Sequence, residues 1–180
     1  MEQKNVYSVW GLPPVELRPR LKKLMEGLRS EFGGPEFEPH VTVVGAIDLT
    51  EREARDKFKK ACDGLKLYNA KVERVATGSF FYQCVYLLLH PTSEVVETSE
   101  HCCGHFGYMR STPYMPHLSL LYGDLSEEEK QKAQEKAYVL DEGIGSLEFE
   151  ISQLALYKTD TRDRSLKSWE KVVDCNLDID

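Results

Sequence analysis

The chain has 180 residues, of which 41% are hydrophobic and 29% charged. That is the profile of one globular domain, long enough to bury a core without disulfides or a structural metal. Lys and Arg number 23 against 30 Asp and Glu, a formal charge of −7. This argues against tracking of long nucleic acids and leaves room for a small anionic ligand in a locally positive pocket.

In chain order, Val6 to Trp10 reads as a strand, ended by Gly11-Leu12-Pro13-Pro14. Leu17, Leu21, Leu24, Met25, Leu28 and Phe32 recur at helical spacing, and Gly33-Gly34-Pro35 stops that helix. His40 to Ile47 is a short β-branched strand. Thr50-Glu51-Arg52-Glu53 has capping-box form and opens a helix buried through Ala54, Phe58, Ala61, Cys62 and Leu65. Tyr68 to Ala76 is the next strand, with Gly78 as its break, and Phe80 to Leu89 is an apolar one. A short helix follows Pro91-Thr92 and fades near Gly104. His117 to Tyr122 is a strand. Ser126-Glu127-Glu128-Glu129 is a second capping box, opening a helix to about Leu140 that Gly143 and Gly145 end. Phe149 to Tyr157 and Trp169 to Cys175 are the last strands, with a polar loop over 158–168 between them.

The N-terminus is polar and shows no signal peptide. The longest apolar run, Cys84 to Leu89, is far below the roughly 18 residues of a membrane span. The expectation is a soluble, cytoplasmic monomer. Five cysteines, an odd number, do not read as a disulfide framework, so mostly reduced thiols are expected. Cys62 and Cys84 read as packing residues. Cys62 and Cys175 both sit on elements that should be buried, which raises a bridge between them as a hypothesis.

The element order strand, helix, strand, helix, strand occurs twice. Glu38-Pro39-His40-Val41-Thr42-Val43-Val44 matches Met115-Pro116-His117-Leu118-Ser119-Leu120-Leu121. Residues 1–180 thus read as a single two-lobed α+β domain, with repeat halves about 1–78 and 79–180. On a strand, residues i and i+2 share a face. His40 then stands beside Thr42, and His117 beside Ser119, with apolar neighbours turned the other way. Two imidazoles and two hydroxyls would surround one cleft. One imidazole can take a proton from water while the other gives one to a departing oxygen. Hydroxyls can hold the phosphoryl oxygens. A lone strand histidine is more often structural; the repetition of the pattern is what favours chemistry.

These paired motifs, with A-C-D-G-L-K at 61–66, T-P-Y-M-P-H-L-S-L-L-Y at 112–122 and W-E-K-V-V-D-C-N-L at 169–177, resemble the two-histidine phosphoesterase superfamily. Within it the likeness is to the plant enzymes acting on ADP-ribose 1″,2″-cyclic phosphate. The resemblance implies a bilobal fold with two antiparallel sheets facing a cleft and helices outside. It implies hydrolysis of a cyclic phosphodiester, a substrate arising downstream of tRNA splicing, and chemistry carried by His40, Thr42, His117 and Ser119. It also implies His117 as the base on water and His40 as the acid. The partner expected is one small cyclic-phosphate nucleotide, without a metal or cofactor.

Tyr122 is a further phosphate donor if a bulge or strand end turns it into the cleft. Trp10 is either a platform for a nucleobase or a core aromatic. His101-Cys102-Cys103-Gly104-His105 has poor zinc spacing and reads as a helix end or a loop bordering the cleft. Two alternatives stay open: an RNA-end or 2′,5′-linkage phosphoesterase or ligase of the same superfamily, and a nucleotide-binding protein without turnover.

Overall fold

The computed structural model describes residues 2–179. Its elements are β1 (Lys4–Leu12), α1 (Arg18–Phe32), β2 (Val41–Thr50), α2 (Glu51–Cys62), β3 (Tyr68–Phe80), β4 (Gln83–Leu89), α3 (Ser93–Phe106), β5 (His117–Leu121), α4 (Glu127–Leu140), β6 (Glu148–Ile151), β7 (Gln153–Lys158) and β8 (Glu170–Asn176). Both capping boxes form: Thr50 with Glu53 opens α2, and Ser126 with Glu129 opens α4. Helix α1 buries Leu21, Leu24, Met25 and Leu28, as its spacing predicts.

The strands form one curled antiparallel sheet in the order β6-β3-β4-β5-β2-β1-β7-β8. The two expected sheets are its two halves, and the seam between them is thin. Strands β2 and β5 share one register pair, Val41 opposite Leu118. Each half draws on both parts of the sequence, because β3 pairs with β4 while β7 and β8 return to β1. The helices cross over as well: α1 packs on β5 and α4, and α3 on β2 and α2. Val41, Val43, Leu118 and Leu120 join the core beneath these helices. The alternate residues face the hollow of the curl.

Several boundaries differ from the sequence reading. Gly78 does not break β3; the strand runs on to Phe80. A Cβ at Gly78 would sit 2.1 Å from the Gln83 carbonyl, so glycine here permits a close backbone approach at a register shift. Helix α3 passes through Gly104 and ends at Gly107, whose φ of 67° is left-handed. Helix α4 ends at Leu140, as the sequence reading has it, but Gly143 and Gly145 lie beyond it in a 3₁₀ turn over Glu142–Ser146. The run Phe149 to Tyr157 is two strands split at Ser152. Strand β6 edges β3 and β7 pairs with β1, so this segment carries the chain from one end of the sheet to the other half. Among the described residues no helix is long and apolar enough to cross a membrane.

Candidate active site

The seam places the two motifs against each other. With Val41 opposite Leu118, antiparallel register sets Thr42 across from His117 and Ser119 across from His40. That register puts the two histidines side by side at the seam, and both line one cavity. Each ring is also held from behind. His40 Nδ1 lies 2.7 Å from the Glu38 carbonyl, and His117 Nδ1 lies 2.9 Å from the Met115 carbonyl. A carbonyl only accepts, so both Nδ1 atoms carry the hydrogen and both Nε2 atoms keep a free lone pair. Pro39 and Pro116, between acceptor and histidine, hold these two-residue loops extended.

His40, Thr42, His117, Tyr122 and Trp10 line one cavity of about 350 Å³. Ser119 does not reach its wall. It is buried, and it lowers the pKa of the nearby Tyr122 phenol, which does. Tyr122 turns inward because β5 ends at Leu121, releasing it from strand alternation. It stacks on Phe37 at 4.1 Å. Trp10 is 2% exposed, and both indole faces are occupied. His40 stacks on it at 3.4 Å and Tyr157 at 3.7 Å. What the indole offers the cavity is an edge, not the open face a nucleobase would need.

Burial lowers both imidazole pKa values. His40 falls to about 3, chiefly by desolvation; its bond to the Glu38 carbonyl opposes the shift, and the nearby His117 adds to it. His117 is also lowered by desolvation, against its bond to the Met115 carbonyl. Without a ligand both rings are neutral at pH 7. Burial also pushes the Tyr122 phenol well up, so it remains a donor.

The family described as cyclic phosphodiesterase-like protein matches residues 6–180. Over 175 residues the chain is 60% identical to a cyclic phosphodiesterase of Arabidopsis thaliana, covering 97% of each. This chain belongs to the cyclic phosphodiesterase family. It is an enzyme. A 2′,3′-cyclic-nucleotide 3′-phosphodiesterase of Yarrowia lipolytica is 29% identical over 69% of this chain and 60% of that protein. The fold is shared with E. coli LigT complexed with ATP, at a TM-score of 0.62 and 10% identity, covering 98% of this chain and 99% of that one.

The enzyme's cavity has walls that motif reading missed. Ser8, Tyr82, Tyr108, Thr159 and Trp169 all line it. None belongs to the repeated proline-histidine motif, so that pattern gave no signal for them. The loop at 158–168 read as plain exposed loop, yet Trp169 Nε1 donates to the Asp160 carbonyl and Tyr82 Oη to the Thr161 carbonyl, drawing the segment against the cavity. The segment 101–105 lies within α3. His101 bonds the Ala61 carbonyl at 2.9 Å, and Cys102 and Cys103 are buried. Among the described residues no group of three or more His, Cys, Asp or Glu converges as a metal site.

Cys62 and Cys175 are joined in a disulfide that ties the end of α2 to β8. Cys84, Cys102 and Cys103 are free and buried. The tail beyond β8 is fixed as well: Leu67 N donates to the Asp178 carbonyl and Asp178 N to the Leu65 carbonyl.

Proposed function

We propose that this cyclic phosphodiesterase opens small cyclic phosphodiesters by hydrolysis without a metal. ADP-ribose 1″,2″-cyclic phosphate gives ADP-ribose 1″-phosphate, and nucleoside 2′,3′-cyclic phosphates give 2′-phosphates. His117 Nε2 takes a proton from water as its oxygen bonds phosphorus. The P–O bond to one ring oxygen breaks, and the proton on His40 Nε2 goes to that oxygen. Thr42 and Tyr122 donate to the non-bridging oxygens, where charge builds in the transition state, and Ser119 holds Tyr122.

The observation that carries this reading is the matched pair of Nδ1–H to carbonyl bonds. They fix both histidines in one tautomer and leave two basic nitrogens for one cavity. The stacking of Trp10 supports the direction chosen. An indole face against His40 favours the imidazolium form, and among the described residues His117 meets only the tilted Tyr86 ring, at 5.0 Å. The proton on His40 enters with the substrate, whose phosphodiester charge raises a pKa that burial has lowered.

The test is turnover of ADP-ribose 1″,2″-cyclic phosphate and the four nucleoside 2′,3′-cyclic phosphates in EDTA. Hydrolysis of at least one is expected, with a loss of at least about 10²-fold for His40→Ala or His117→Ala. No turnover, or a requirement for added metal, would end the reading. If His117→Ala removed the acidic limb of the pH–rate profile no more than His40→Ala does, the roles would be reversed or shared.

A further inference from the structure

Ser8 and Thr159 are 6% and 2% exposed, and both line the catalytic cavity. Their hydroxyls are 2.6 Å apart, and neither makes another side-chain hydrogen bond among the described residues. Two hydroxyls own two hydrogens, and the bond between them uses one. The other O–H, with the spare lone pairs, needs a partner, and the cavity is the place to find one.

The position of the pair is defined. Ser8 shares the face of Trp10 on β1, two residues or about 7 Å further along the strand, and Trp10 stacks on His40. The pair therefore stands about 7 Å along β1 from the indole that carries His40. Thr159 is held there by its own N–H, which donates to the Val6 carbonyl at 2.9 Å. Gly45 and Ala46 also line the cavity, and the Tyr108 phenol packs against the Gly45 backbone. No Lys, Arg, Asp or Glu among the described residues lines the cavity. This end has no counter-charge for a second phosphate and suits a neutral, polar group.

We infer that the Ser8–Thr159 hydroxyl pair recognises the hydrogen-bonding edge of the substrate's nucleobase. The assignment rests on the hydrolase reading only for the place of the phosphate. One hydroxyl donates to a base carbonyl or ring nitrogen. The other holds the first in orientation, and a spare lone pair accepts from a base N–H. A neutral contact of this kind changes affinity by about tenfold. It acts on the ground and transition states alike, so it moves KM and not kcat.

The experiment compares Ser8→Ala, Thr159→Val and the double variant on nucleoside 2′,3′-cyclic phosphates and on methyl riboside 2′,3′-cyclic phosphate, which lacks the base. For the nucleosides, KM should rise about tenfold with kcat within about twofold. The double variant should cost little more than either single one, because the two hydroxyls work as a unit. KM for the methyl riboside should not change. Thr159→Ser, which keeps the hydroxyl, should restore nucleoside KM and shows that folding is not at issue. An equal rise on both substrates, or no rise on either, overturns the inference. Calorimetry separates it from the hydrolase reading. Even if nothing is turned over, Thr159→Val should weaken nucleoside 2′-monophosphate and leave inorganic phosphate unchanged, and equal affinities would refute the pair's role.

Discussion

The indole of Trp10 lies on the imidazole of His40, with ring centroids 3.4 Å apart and planes within 7°. Tyr157 closes the opposite face of the same indole. His40 is thus fixed by a carbonyl at Nδ1 and by an aromatic plane. Trp10→Ala removes the plane and frees the ring to tilt. A misplacement near 1 Å costs about 10²-fold in rate, so kcat should fall by about 10–10²-fold while KM moves little. Trp10→Phe keeps a plane and should retain most of the activity. The alkaline limb of the kcat profile should shift down in Trp10→Ala, because the imidazolium loses about 1 kcal/mol of cation–π attraction. A rise in KM with kcat and pH profile unchanged would instead assign Trp10 to the nucleobase.

The depressed His40 pKa makes stability depend on pH. The free ring titrates near 6.5 when unfolded and at about 3 when folded. Between these values the unfolded chain binds more protons, so acid favours unfolding. The stabilising contribution is fully present above pH 6.5 and is lost as pH falls towards 3. Over the first two units the loss is on the order of 2–3 kcal/mol. His117, shifted the same way, adds to it. His40→Asn should flatten the stability profile between pH 6.5 and 4.5, read by urea unfolding. A variant as acid-sensitive as the parent would show that the ring is not buried neutral.

Much of this site was legible because its parts are local or repeated. Both capping boxes sit within four residues, and each proline-histidine motif carries its own carbonyl acceptor two residues back. The recurrence of that motif brought His40 and His117 to notice. What stayed hidden depends on non-local contacts. Whether Tyr122 faces the cleft rests on β5 stopping one residue earlier. The fate of Trp10 rests on Tyr157, a residue of a strand that sequence alone ran together with β6. Ser8 and Thr159 are 151 residues apart, and no periodicity connects them.

The disulfide closes a loop of 113 residues between α2 and β8. In the chain-entropy picture a loop of that length is worth about 4–5 kcal/mol, with measured effects often less. Alkylation in denaturant without reductant should label three thiols, those of Cys84, Cys102 and Cys103, and five after reduction. Cys175→Ser should lower Tm by about 5–15 °C, while kcat changes little, because neither cysteine lines the cavity. Five labelled thiols before reduction would show that the bond does not form.

Strand β2 is also held by the segment that leads into β5. Tyr114 Oη donates to the Thr42 carbonyl at 2.7 Å. Arg110 lies over the Tyr114 ring at 4.2 Å and donates to the Val43 carbonyl at 3.1 Å and to Ser99. Strands β2 and β5 pair at a single position, and Val43 falls between the register pairs that join β2 to β1. These side chains supply the donors that a regular ladder would have provided. They also set where Thr42 stands relative to His117. Tyr114→Phe keeps the ring under Arg110 and deletes one bond to a buried carbonyl, which costs about 1–3 kcal/mol. Tm should fall accordingly, and kcat should fall several-fold as Thr42 shifts. The pH profile should keep its shape, because neither imidazole loses a partner. A stability loss with kcat unchanged would confine Tyr114 to the scaffold. A kcat loss with an altered pH profile would mean that the strand carries His40 with it.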